Sequence, residues 1–130
     1  MRDYQDDYRR AVQAFQHIAV DTIADGGGTY QHATGAPVTH SDGYYVGVGN
    51  VATFETSSAT TDEIRRAIQA VWPTTLPHDA QYVGTWYARG YLYIDYVTHV
   101  QNRAIALALA ARHGEQAIYD CATGTSVPVV

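Results

Sequence analysis

The chain has 130 residues and a formal net charge of -5, from 13 acidic residues against 8 arginines and no lysine. Hydrophobic residues make up 46% of it and charged residues 16%, which excludes a disordered chain, since disorder combines low hydrophobicity with high charge. The longest apolar run, residues 104–111, is far shorter than the roughly 20 residues of a membrane-spanning helix. An acidic balance gives no attraction to nucleic acids or anionic membranes. The composition therefore predicts one globular domain, residues 1–130, that binds neither nucleic acids nor membranes.

Cysteine usage and the N-terminal residues indicate a cellular compartment. The single cysteine, Cys121, cannot form an internal disulfide. Residues 1–7 lack the apolar segment of a secretory signal. We therefore expect a cytoplasmic protein. A nucleophilic role for Cys121 would need a nearby base and an electropositive pocket, and the sequence gives no sign of either.

The first third of the chain predicts a helix followed by a glycine-rich loop. Residues 3–23 carry apolar side chains at helical spacing, namely Tyr4, Tyr8, Val12, Phe15, Ile18 and Ile23. Three glycines at 26–28 end this helix, because glycine terminates helices at little cost. A phosphate-binding loop is disfavoured, since such loops lead from a strand into a helix. A loop-rich segment to residue 43 contains one short predicted strand at 29–32.

The middle of the chain predicts a strand and a second helix. Residues 43–55 are rich in strand-forming side chains, and glycines at 47 and 49 indicate a bulge or bend. A turn is expected at 57–60. A helix then starts at residue 61, capped by Thr60 or Thr61, and ends before Pro73 because a proline disfavours helical geometry in the residue before it.

The last third contains the clearest pattern, a β-hairpin. Residues 81–88 and 91–100 are two strand-like runs joined by Arg89-Gly90. A third helix is predicted over 101–113, followed by Gly114, and short strands are predicted at 116–121 and 126–129.

This order of elements predicts the fold class. We expect a single-domain α+β fold, with an antiparallel or mixed sheet of about 4–6 strands and helices mainly on one face. From residue 44 onward the order is strand, helix, strand, strand, helix, strand, which is that of a ferredoxin-like βαββαβ core. An N-terminal helix and a final strand are added to it.

The third helix also bears on oligomeric state. Residues 104–111 are apolar all round, so this helix must be covered on more than one side. Either the N-terminal helix or a second subunit provides that cover. A homodimer through the 101–113 helix or through a sheet edge follows as one expectation.

The hairpin supplies the candidate binding residues. Alternation along the second strand places Leu92, Ile94, Tyr96 and Val100 on one face, and the other face receives Tyr91, Tyr93, Asp95 and His99. Two interpretations stay open: cross-strand aromatic pairs that stabilise the sheet, or a recognition surface, since tyrosine and tryptophan dominate interface hot spots. The candidate binding residues are Tyr44, Trp86, Tyr87, Tyr91, Tyr93, Asp95 and His99.

Catalytic and metal-binding patterns are weak. Asp95 and His99 lie four residues apart on one strand, about 13 Å by strand rise, which excludes a direct hydrogen bond between them. The six histidines show no HxH, HxxxH or CxxC spacing. We therefore predict no catalytic residue, no metal ligand and no cofactor.

Several short motifs add a resemblance. They are Thr34-Gly35-Ala36-Pro37, Gly43-Tyr44-Tyr45-Val46, Gly84-Thr85-Trp86, Tyr93-Ile94-Asp95 with His99-Val100, and Gly114 to Asp120. With these the chain resembles small uncharacterised proteins of actinobacterial phages and mobile elements. The resemblance implies a phage accessory protein and no particular activity.

Together these observations predict a non-enzymatic interaction protein that binds a host protein through a Tyr/Trp-rich surface. Two alternatives remain. One is a small-ligand or nucleotide-binding module that uses the 26–43 loop, and the other is a small enzyme built on Asp95 and His99.

Overall fold

The structure, a computed structural model, describes residues 4–56 and 60–129. Within these ranges it is an α+β fold of three helices and six strands. In chain order the elements are α1 (Tyr4–Asp25), β1 (Gly27–Tyr30), β2 (Tyr44–Glu55), α2 (Thr61–Val71), β3 (Tyr82–Ala88), β4 (Tyr91–Val100), α3 (Arg103–Arg112), β5 (Ala117–Asp120) and β6 (Thr125–Pro128).

All six strands form one antiparallel sheet in the order β1-β3-β4-β2-β5-β6. Strands β2 and β3 both run antiparallel to β4, so they run parallel to each other with β4 between them. The long strands β2 and β4 therefore occupy the centre, and the four-residue strands β1 and β6 form the edges.

The predicted hairpin is present as β3 and β4. Its two turn residues both have positive φ, 56° at Arg89 and 81° at Gly90, which is the backbone of a type I′ turn. That turn matches the twist of the flanking strands, and it pairs Trp86 with Tyr93. The register of the hairpin is thereby set.

Strand β2 is irregular in its middle. Its register against β4 shifts between Gly47 and Gly49 and again between Asn50 and Ala52. The bulge or bend expected from the glycines at 47 and 49 is therefore confirmed. Each shift interrupts simple alternation and bends the strand locally.

The first core lies between two helices and one half of the sheet. Ile18 and Ala19 of α1 and Ile64 and Ile68 of α2 are fully buried. They pack on sheet residues that share one face, namely Tyr30, Val83, Leu92 and Ile94. Burial of one such aliphatic side chain contributes about 1.5–3 kcal/mol, so this layer fixes which face of the sheet is internal.

The second core joins α3 to the other half of the same sheet face. Ala106 and Ala110 pack against Val46, Val48 and Ile118. Val46 pairs with Thr98 of β4, and Thr98 is on the same side of that strand as Ile94. The buried residues of α3 therefore pack on sheet residues that share a side of the strands with the first core.

Several details differ from the sequence-based expectations. Strand β1 starts at Gly27, not at residue 29, because Gly27 and Gly28 pair with Trp86 and Thr85. The N-terminal helix does not cover α3 as one alternative supposed, since α1 packs against α2, β1 and β3. The expected turn at 57–60 lies largely at residues 57–59, outside the described residues.

Helix α3 keeps an exposed outer side. Asn102 caps its N-terminus by accepting a hydrogen bond from the Ile105 N–H, while the Ile105 side chain is 60% exposed.

No helix in the described part of the chain is long and apolar enough to cross a membrane.

Candidate functional site

The face of the sheet opposite the helices carries most of the candidate site. We call it the open face, because the buried side chains of α1, α2 and α3 all belong to the two cores on the other side. The strand registers assign to it Tyr45, Asn50, Thr53, Tyr82, Trp86, Tyr91, Tyr93, Asp95, His99 and Tyr119. Five of the seven candidate binding residues are therefore on one surface.

Tyr44 and Tyr87 are not on that surface. Tyr44 pairs with Val100 and packs in the α3 core, and Tyr87 pairs with Leu92 and packs in the α1–α2 core. The structure therefore does not bring them together with the other five candidates, because the pairing with β4 turns both side chains toward the helices. Tyr45, the neighbour of Tyr44, is on the open face.

A cluster of two histidines and three tyrosines lies at one end of the open face. The rings of His40 and His99 stack with centroids 3.8 Å apart and planes 13° apart. Nδ1 of His40 is 2.7 Å from the Tyr45 hydroxyl. Tyr119 stacks on Tyr45 at 6.1 Å, and Tyr82 meets Tyr45 edge-on at 6.5 Å. We call these five residues the His–Tyr cluster.

The loop that carries His40 is tied to the sheet by hydrogen bonds. Nε2 of His99 donates to the Asp42 carbonyl oxygen at 2.8 Å, since a carbonyl can only accept. Gln101 Nε2 donates to the Asp42 carboxylate at 3.0 Å, and the Cys121 N–H donates to the Gly43 carbonyl at 3.0 Å. The loop is thus held against both β4 and the end of β5.

Packing in this cluster makes ionisation of its acidic groups unfavourable. Desolvation, with smaller contributions from Cys121 and Tyr82, raises the pKa of Tyr45 to about 12. Desolvation, followed by the charges of Asp120 and Asp42, raises the pKa of Cys121. A raised thiol pKa is the opposite of what a nucleophile needs, so the surroundings of Cys121 do not activate its thiol.

Two carboxyl groups lie near the middle of the open face. Asn50 Nδ2 donates to Asp95 Oδ1 at 2.9 Å. Desolvation raises the pKa of Asp95, and the Asn50 hydrogen bond partly opposes it. Desolvation raises the pKa of Glu115, the negative charge of Asp95 raises it further, and His113 partly opposes both. We call Asp95 and Glu115 the carboxyl pair.

Gly47 makes room for this arrangement. A Cβ atom at Gly47 would lie 2.6 Å from Oε1 of Glu115, which is too close for any real contact. The side chain of Glu115 therefore lies across the backbone of β2, where any larger residue would displace it.

Exposed aromatic side chains occupy the other end of the open face. Trp86 is 49% exposed and Tyr91 is 41% exposed. The Tyr91 and Tyr93 rings lie 6.3 Å apart. The Trp86 indole lies over Gly27, where a Cβ atom would be 3.1 Å from its Cε3. The Trp86 and Tyr91 side chains are therefore partly exposed to solvent and partly packed on the sheet.

The placement of these side chains separates the groups that catalysis would combine. Asp95 is bonded to Asn50, whereas His99 is bonded to Asp42 and stacked on His40. The geometry therefore places Asp95 and His99 in two different clusters. Within residues 4–56 and 60–129, no three His, Cys, Asp or Glu residues gather as a metal-ligand set.

The 26–43 loop forms two shallow grooves on the other side of the molecule. They measure about 330 and 240 Å³ and run between α1 and residues 32–37. Ala14, Phe15 and Trp72 supply apolar walls, and the Trp72 indole N–H is already bonded to the His32 carbonyl at 2.7 Å. Few polar groups converge there, unlike in a typical small-molecule site.

Sequence reasoning missed several residues of the open face. Tyr45 and Tyr82 follow the same alternation that located Tyr93, so the strand pattern could have included them. Asn50 follows a bulge, where alternation is lost. His40 and Glu115 lie outside the strands, and no local pattern indicates their positions.

Comparison of the chain with protein-family models, with curated proteins and with solved structures finds no match in any of the three.

Proposed function

We propose that the chain is a non-enzymatic interaction protein and that another protein docks on its open face. The observation that carries the proposal is one-sided packing: buried residues of the helices contact one side of the strands, and aromatic side chains extend from the other side. Cross-strand aromatic pairing alone would stabilise the sheet. It does not require three large aromatic residues to stay about half exposed.

The exposed aromatic groups favour protein docking on energetic grounds. Trp86, Tyr91 and Tyr119 are 49%, 41% and 39% exposed, and their rings are held by the strands beneath them. Tyrosine and tryptophan give large contact areas with few rotatable bonds to order. Burial of their apolar surface by a partner contributes about 25 cal/mol per Å² to the free energy of binding. The strands beneath these rings are already ordered in the free protein.

The proposal also includes the origin of the protein and the topology of its core. The motifs that resemble phage and mobile-element proteins support a phage accessory protein that acts on a host protein in the cytoplasm. The strand order β3-β4-β2-β5, with α2 and α3 as connections, supports a ferredoxin-like core. A homodimer through α3 is a further candidate assembly, supported by the exposed Ile105.

Affinity capture with matched variants tests the docking surface. The tagged chain is incubated with a bacterial host lysate, and retained proteins are quantified by mass spectrometry. Tyr91→Ala combined with Tyr93→Ala should abolish retention of a stoichiometric partner. Tyr8→Ala is the matched control, since Tyr8 is 66% exposed on α1, away from the open face. A partner retained equally by both variants, or none at all, would contradict the proposal.

A further inference from the structure

Charge is distributed unevenly between the two layers of the molecule. The six strands contain no lysine or arginine, and their charged residues, Glu55, Asp95 and Asp120, are all acidic. The described arginines lie on the helices and in one turn, at Arg9, Arg10, Arg65, Arg66, Arg89, Arg103 and Arg112. The sheet therefore offers negative charge without a basic side chain from its own strands.

Two carboxylates elsewhere in the described chain have basic partners. Asp62 lies 3.0 Å from Arg65 and 2.9 Å from Arg66, and Asp79 is 3.5 Å from Nε2 of His113. In the carboxyl pair, Asp95 accepts a hydrogen bond from a neutral amide. Glu115 lies against Gly47 of β2, where desolvation and the charge of Asp95 raise its pKa and His113 opposes the shift only in part. Two acidic groups held together on a half-buried surface are electrostatically unfavourable unless a cation or a proton joins them.

The neighbours of the carboxyl pair identify which cation fits. Tyr45 and Tyr82 lie on one side of it, and Trp86 and Tyr93 lie on the other. Aromatic faces attract cations, and arginine is the cation found there more often than lysine. A planar guanidinium can stack on a ring while its N–H groups donate to carboxylates. An ammonium also donates to carboxylates, but it has no planar face for stacking.

We propose that the partner inserts an arginine side chain into the open face, where its guanidinium binds Asp95 and Glu115 between the flanking aromatic rings. This inference rests on the proposed docking function and names the chemistry of its partner. Gly47 is the residue that permits it, since a Cβ there would lie 2.6 Å from Oε1 of Glu115 and would displace that carboxylate.

A displayed hexapeptide library, selected against the full-length protein, tests the inference without a known partner. Three variants are selected in parallel: Asp95→Asn with Glu115→Gln, Trp86→Ala with Tyr93→Ala, and Asp25→Asn with Asp62→Asn, a charge-matched control that removes two exposed helix carboxylates. The wild type and the control should enrich the same arginine-containing peptides, and the other two should not. Circular dichroism confirms that each variant is folded.

Synthetic peptides then test whether binding requires the positive charge of the arginine. We expect replacement of the selected arginine by citrulline, its neutral analogue, to weaken binding about tenfold or more in calorimetry. One result would overturn this inference and leave the docking function standing. In that result, the selected peptides carry no arginine, and their binding depends on Trp86 and Tyr93 but not on Asp95 and Glu115. Peptides that ignore all four residues would overturn both.

Discussion

His40 stacks on His99 with ring centroids 3.8 Å apart, although the two residues come from a loop near the first strand and from the end of β4. The contact is completed by the bond between His40 Nδ1 and the Tyr45 hydroxyl and by the bond from His99 Nε2 to the Asp42 carbonyl. One side chain therefore links the 38–43 loop to two central strands.

Removal of His40 should loosen this loop. His40→Ala loses its ring contacts with His99, Tyr45 and Tyr82 and one hydrogen bond. The stack and the hydrogen bond each contribute about 1 kcal/mol, so the free energy of unfolding should fall by about 1–2 kcal/mol or more. Urea titration at pH 8 measures it. His78→Ala is the control, since His78 is exposed in a loop. Equal effects of the two substitutions would contradict a fastening role for His40.

Two tyrosines should ionise later than the others. Desolvation and the charge of Asp21 raise the pKa of Tyr30 to about 12, and desolvation raises the pKa of Tyr45 to about 12. Absorbance at alkaline pH should show a late phase that loses amplitude in Tyr30→Phe and in Tyr45→Phe. Since the native state keeps these protons longer than the unfolded chain, stability should decrease as pH rises from 10 toward 12. Uniform ionisation near pH 10 would contradict this.

A buried hydroxyl network should stabilise the contact between α1 and the sheet. Thr22 Oγ1 donates to the Ile18 carbonyl at 2.7 Å and lies 2.7 Å from Thr85 Oγ1. Thr22→Val leaves the buried Thr85 hydroxyl without this partner, so the free energy of unfolding should fall by about 1–3 kcal/mol.

Thr22→Ser is the matched control for that network, because it keeps the hydroxyl and removes only a methyl group. Chemical denaturation of both variants compares them directly. If serine and valine destabilise the protein equally, packing around the methyl group, and not the hydroxyl, is responsible.

Local patterns predicted the secondary structure but not which surfaces meet. The hairpin faces followed from alternation because a two-residue turn fixes the register of β3 and β4. Tyr44 and Tyr45 both suit a strand, so only the pairing with β4 decides which of them faces the helices. The bulges after Gly47 and Asn50 remove the alternation that would have extended the open face along β2.

The candidate site was predictable only where it lies on regular strands. His40 reaches His99 through a loop without periodicity, and Glu115 reaches Gly47 because β5 pairs with β2. Both contacts depend on long-range chain packing, which a single sequence does not encode as a local pattern. Glycine at 47 was interpreted as a bulge signal, whereas it also provides the space that Glu115 occupies.

The carboxyl pair should reduce stability once it ionises. Because the pKa values of Asp95 and Glu115 are raised in the folded protein, the native state binds protons more tightly than the unfolded chain, and stability should fall as pH rises above about 4. Glu115→Gln should therefore increase the free energy of unfolding at pH 7 by up to about 0.5 kcal/mol, with no gain near pH 3. A Glu115→Gln gain independent of pH would contradict the electrostatic cause.

Gly47→Ala should separate binding from stability. The backbone of Gly47 lies outside the left-handed region, and the added Cβ would meet only the flexible end of Glu115, so unfolding should change by less than about 1 kcal/mol. Displacement of that carboxylate should weaken binding of a selected arginine peptide about tenfold. Calorimetry in a Glu115→Ala background provides the decisive comparison, because there the alanine at 47 has no carboxylate to displace. A loss of affinity that persists in that background would mean that Gly47 acts through the shape of β2 and not through Glu115.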